Sequence, residues 1–150
     1  MATDATDQAL AQIKQRPNTE SVSVKNIDAY ALEEIKQTFN AAFAGLWVSH
    51  VPKQDLADFI QLLNGRLEAG ASVLFIDNSR EQCARLPITY TDDKGNTYQN
   101  RKLADGTAHR VLKNFPTEAE LLAATKDVSS DHEYLQLENF WLFKYRISSP

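Results

Sequence analysis

Three polar sites in this sequence stand where an apolar stretch gives way to polar residues. Asp28 follows SVSVKNI, Ser49 and His50 follow FNAAFAGLWV, and Asp77 and Asn78 close ASVLFIDN. A carboxylate such as Asp28 at a strand end can face a ligand; it can equally cap its own turn, since Asp bonds the backbone two residues on. His50 is a candidate general base, because imidazole titrates near neutral pH. Its plainer reading is a cap on the helix that opens at Pro52. Asp77 and Asn78 read as a ligand-facing pair or as a strand-terminating turn. His109, Arg110 and Lys113 form a small basic cluster, read first as a solvated face. Cys83 is the single cysteine and has no matched His or Asp partner for nucleophilic work. His50, His109 and His132 do not have metal-ligand spacing.

The surrounding elements place these residues. Residues 1–18 predict a short helix, capped by Thr6 or Asp7 and stopped by Pro17. A short strand over 21–27 ends near Ile27, with Asp28 just beyond it, and residues 32–38 make one or two helical turns. Residues 39–48 read as a strand buried on both faces. From Pro52, the apolar residues Leu56, Phe59, Ile60, Leu63 and Leu67 follow helical spacing, and Gly70 suits a stop. Residues 71–78 are a second buried strand. Strand–helix–strand with short connections is a right-handed βαβ unit. Ligands of such sheets sit beyond the carboxyl ends of the strands, where Asp28, Ser49–His50 and Asp77–Asn78 all fall. A hairpin is expected around Asp93–Lys94–Gly95. Thr117 and Glu120 make a capping box for a helix over 117–126. Two antiparallel strands fill 132–147, with Trp141, Phe143, Tyr145 and Ile147 on one face.

The 150 residues, 43% of them hydrophobic, predict one domain spanning 1–150 with a real core. No apolar run approaches the roughly 18 residues of a membrane span. The first residues, MATDATDQ, read as neither a signal nor a basic transit peptide. A net charge of −4 argues against nucleic acid. The expectation is a soluble cytoplasmic protein with no membrane or nucleic-acid partner.

Several separated segments then resemble class I S-adenosylmethionine-dependent methyltransferases. They are NIDAYAL, FAGLWVSHVPKQDLADFIQLLNGRLEAGASVLFIDN, HRVLKNFPTEAELLAA and LENFWLFKYRI, in the family's order, over about residues 8 to 147. The resemblance implies S-adenosyl-L-methionine as cofactor. It assigns Asp28 and Ala29 to the adenine, and Leu46 and Trp47 to the cofactor's methionine end. It makes His50 the base for a protonated acceptor, and Asp77, Asn78 and Arg110 the substrate-facing residues. The family opens with a strand and a GxGxG turn, then a second strand ending in an acid that holds the ribose hydroxyls. Neither is seen in this sequence: Gly45, Gly65, Gly70, Gly95 and Gly106 are too far apart for that turn.

The expected fold is α/β: a Rossmann-like methyltransferase sheet truncated at its amino end, mainly parallel, with an antiparallel pair at the carboxyl end. The strand at 21–27 either closes onto 39–48 or leaves that strand with an open edge. Two functions follow. One is a methyltransferase of an unknown small molecule, its cofactor site incomplete and the isolated chain inactive. The other is a non-catalytic remnant serving as a dimeric binding module. An exposed edge at 41–48 predicts a homodimer.

Overall fold

The computed structural model describes residues 1–129 and 131–148. It opens with a strand where the sequence predicts only helix. Ala2–Asp4 (β1) precedes a helix at Asp7–Ile13 (α1). Thr6 caps α1 as predicted, its hydroxyl accepting from the Ala9 N–H. The strand at 21–27 shrinks to Val24–Asn26 (β2) and lies parallel to β1, with Ala2 opposite Val24. A three-residue strand shows no periodicity, which is why β1 is silent in the sequence.

Phe39–Gly45 (β3) follows one 3-10 turn at Leu32–Glu34. It ends where Leu46 turns left-handed, at φ 57°. Further 3-10 turns at Val48–His50 and Lys53–Asp55 lead into Leu56–Asn64 (α2), which buries Leu56, Phe59 and Ile60. The helix is shorter than its apolar stripe. It stops at Gly65, and Leu67 already belongs to Leu67–Asn78 (β4), opposite Phe39. Gly70, predicted to end the helix, instead lies inside β4 at φ 78°. There the register jumps from Phe39–Leu67 to Ala41–Ser72, a bulge whose left-handed residue must be cheap.

The predicted hairpin is present as Ile88–Thr91 (β5) and Thr97–Lys102 (β6), and a further strand, Ala108–Leu112 (β7), extends it to a three-stranded antiparallel sheet. Glu118–Thr125 (α3) carries the expected capping box. Asp131–Gln136 (β8) and Phe140–Arg146 (β9) pair antiparallel, as predicted.

The main sheet has the order β3-β4-β9-β8. Only β3 and β4 are parallel; β9 runs against both β4 and β8. The sheet is therefore mixed rather than mainly parallel. The crossover through α2 sets β3 and β4 parallel, while the short link between β8 and β9 enforces reversal, and β9 lies antiparallel beside β4. The strand at 21–27 does not close onto β3, because its pairing goes to β1; β3 keeps its outer edge unpaired among the described residues.

The core lies on one face of this sheet. Val73, Phe75, Phe143 and Tyr145 pack there with Phe59 and Ile60 of α2 and Leu121 of α3. The other face is not covered in the same way: Leu74, Ile76 and Leu142 are half-buried and Phe43 is 68% exposed. β3 is thus not buried on both faces, contrary to its apolar sequence.

Candidate functional site

The carboxyl ends of β1, β2 and β3 open onto one cleft of about 570 Å³, within the range of small-ligand sites. Parallel pairing of β1 with β2 brings Asp4 and Asp28 to the same end of that small sheet. Asp4 accepts from the Thr6 N–H and hydroxyl through Oδ1, both at 2.8 Å. Asp28 accepts from the Tyr30 N–H through Oδ1 at 2.9 Å. The turn-cap reading of Asp28 therefore holds for one oxygen. The second oxygen of each carboxylate has no hydrogen-bond partner among the described residues, and both side chains are exposed. An acidic strand end thus precedes Asp28, contrary to expectation; β1 is too short to show in the sequence, and Asp4 is hidden with it.

Leu46 and Trp47 face them. The left-handed turn at Leu46 is fixed by its N–H, which donates to the Ile76 carbonyl at 2.8 Å. Trp47 meets Tyr30 edge-on at 6.2 Å and Phe59 at 6.3 Å, an aromatic side to the cleft. Burial, then the nearby Asp55 and Asp28 carboxylates, raises the Tyr30 pKa above 10.0, so the phenol stays protonated. Asp28, Ala29, Leu46 and Trp47, separated in sequence, thus line one cleft.

His50 turns the other way. Its Nδ1 lies 2.7 Å from the Leu112 carbonyl at the end of β7, so Nδ1 carries the proton and Nε2 the lone pair. Burial lowers its pKa below 6.5, outweighing the carbonyl's opposite pull, and Lys113 and Arg101 add to the lowering. It is a neutral imidazole near pH 7, but not one of the described residues that line the cleft.

Asp77, Asn78 and Arg110 do not come together as a substrate surface. Asp77 is fully buried. Its Oδ2 accepts from the Ser49 N–H at 2.9 Å, and its Oδ1 from the Asn78 N–H at 2.8 Å and from Lys113 at 3.0 Å. Lys113 also donates to Ser49 Oγ at 2.7 Å and Asn78 Oδ1 at 3.1 Å. The sequence reading put Lys113 on a solvated face, yet it is 1% exposed. Its signal was a lone cation in the apolar run VLKNFP, matched by a lone carboxylate in VLFIDN. Arg110 is exposed on β7, stacked over Tyr90 at 4.5 Å. Among the described residues no cluster of three metal-ligating side chains occurs, and no helix is long and apolar enough to cross a membrane.

No protein-family model and no curated protein matches the chain. Solved structures do. A DhpI–SAH complex superposes over 99% of this chain with a TM-score of 0.73 at 20% identity. The fold is that of an S-adenosylmethionine-dependent methyltransferase. A methyltransferase so described from Clostridium acetobutylicum matches over 99% of this chain and 74% of its own, with a TM-score of 0.68 and 13% identity. SAM-bound CalS10, an amino pentose methyltransferase from Micromonospora echinaspora, matches over 97% of this chain and 72% of its own, at 0.64 and 13%. The chain spans only 66% of the DhpI chain, so this methyltransferase fold is partial.

Proposed function

We infer that this chain carries the adenosine side of a methyltransferase cofactor site and serves methyl transfer to a small molecule. One observation carries the reading: Asp4 and Asp28 stand at the carboxyl ends of paired parallel strands, each with a carboxylate oxygen to spare, at a cleft of nucleoside size lined by Trp47 and Leu46. Adenosine offers matching donors. Its ribose hydroxyls suit Asp4, and its exocyclic amine suits Asp28, while Ala29, Leu46 and Trp47 give the ring apolar contact. Bound S-adenosylmethionine supplies an electrophilic methyl group.

The protein's own residues provide position. Asp77 acts through Ser49: its hydrogen bond to the Ser49 N–H fixes the turn that carries Trp47 and His50. His50, the proton acceptor that the resemblance implies, bonds the Leu112 carbonyl and lies outside the cleft, so it ties the 48–50 turn to β7 rather than reaching an acceptor there. No two of the five glycines are close enough to form a glycine-rich turn beside the methionine end, so binding is expected to be weak and centred on the nucleoside. That same feature favours a second reading, a non-catalytic module that binds nucleosides.

Saturation-transfer NMR with S-adenosylhomocysteine tests the site. Strong transfer to the adenine and ribose protons, with little to the homocysteine chain, is expected. Transfer spread over the homocysteine alone, or to no proton, would refute it. Methyl transfer to an acceptor separates the enzyme from the module.

A further inference from the structure

The three-stranded sheet is held to the rest of the molecule by hydrogen bonds rather than by a shared apolar core. Over residues 86–114, which span β5, β6 and β7, the buried residues are Asn96, Gln99, Lys113 and Asn114, all of them polar. Among the described residues, none of this segment belongs to either apolar core cluster.

Its bonds to the body converge. Apart from the local turn that joins Leu86 to Cys83, they land on residues 49–54 or on Asp77 and Asn78. Lys113 reaches Ser49, Asp77 and Asn78. The Asn114 N–H donates to the Ser49 carbonyl at 2.7 Å, and its side chain to the Val51 carbonyl at 3.0 Å. The His50 ring donates to the Leu112 carbonyl. The Lys53 N–H donates to Asn96 Oδ1 at 2.8 Å, and Asn96 Nδ2 to Gln54 at 3.1 Å. The 48–50 turn, which follows directly on Trp47 of the cleft, is thus clamped between Asp77 on one side and this segment on the other.

Such a junction parts more readily than an apolar one. Water replaces each hydrogen bond as it breaks, whereas separating an apolar core exposes its whole area. Parting also returns both Lys113 and Asp77 to water, instead of leaving one charge buried alone, and that hydration offsets the lost attraction. Segments with few buried apolar contacts open as cooperative units, below the free energy of global unfolding.

We propose that residues 86–114 form a lid that lifts from the body as one unit, with Lys113 as its latch on Asp77, and that lifting frees the turn next to Trp47. The closed lid holds that wall of the cleft in place. The lid acts on the protein's own turn whether or not a ligand is bound. It is read in the free protein, so its failure would leave the nucleoside reading standing.

Native-state amide exchange of the free chain, followed over rising but subdenaturing urea, tests this. The Asn114 N–H bonds Ser49 and the Lys53 N–H bonds Asn96, so both report the junction directly. They should share one opening equilibrium, exchange about tenfold or more faster than the amides of β4 and β9, and depend less on urea. Asn96→Ala removes the bonds to Lys53, Gln54 and Asn114 and leaves Lys113 untouched. It should speed exchange by about tenfold at Asn114 and also at Ser49, whose N–H bonds Asp77 and not Asn96. The amides of β4 and β9 should not change. If Asn114 and Lys53 exchange only together with β4 and β9, at the same urea dependence, no separate lid exists and the proposal is overturned. Asn96→Ala speeding all these amides equally, or leaving Ser49 unaffected, would also overturn it.

Discussion

Lys113 is held by three oxygens, from Ser49, Asp77 and Asn78, at the junction of the three-stranded sheet with β4. With both members of the Lys113–Asp77 pair out of water, removing one leaves the other buried and unpaired. Lys113→Met is expected to destabilise the fold by about 3–5 kcal/mol. Adding Asp77→Leu should recover part of that loss, because no charge then remains buried. Urea denaturation of the single and double variants checks this; a single-variant loss under about 1 kcal/mol would mean the Asp77 carboxylate is hydrated. His50 gives a pH signature. Its folded pKa is lowered from 6.5, chiefly by burial. Its contribution to stability is therefore complete above the unfolded value of 6.5 and is lost as pH falls toward the lower folded value, because the unfolded chain takes the proton first. Between pH 7 and 5.5 the native protein should lose more stability than His50→Gln. Parallel curves would place the imidazole in solvent.

At the level of elements, the sequence shows what is long or strongly patterned and hides what is short. The alternation Trp141, Phe143, Tyr145 specified β9 and its buried face, and the Thr117–Glu120 pair specified the start of α3. The apolar stripe from Leu56 correctly located α2 but ran past its end at Asn64, because Leu67 suits helix and strand alike. Pairing with Phe39, a contact 28 residues away, decides Leu67. β1 is three residues without a pattern, and with it went Asp4, so half of the carboxylate pair was illegible. Asp28, Ala29, Leu46 and Trp47 were found because each flanks a readable strand end. Ile60, 1% exposed on α2, should cost about 2–5 kcal/mol on truncation to Ala. Leu63, half-buried, should cost less. Thermal melts that reversed this order would put the helix in the wrong rotation.

Across the whole molecule, a one-sided core holds a mixed sheet while two parallel strands stand beside it, and the cleft forms where the two parts meet. On the proposed reading, this cleft binds a nucleoside through Asp4 and Asp28. A hydrogen bond to a charged group contributes about 1.5–3 kcal/mol, so losing one weakens binding by about ten- to a hundredfold. Without a glycine-rich turn, affinity for S-adenosylhomocysteine should lie near the millimolar range, whereas micromolar binding would mean a complete site. The deciding measurement is a chemical-shift titration of the native chain, Asp4→Asn and Asp28→Asn with S-adenosylhomocysteine. Saturable shifts are expected at Asp28, Ala29, Leu46 and Trp47, with either substitution weakening binding by about tenfold or more. Shifts elsewhere, or affinity indifferent to both substitutions, would contradict it.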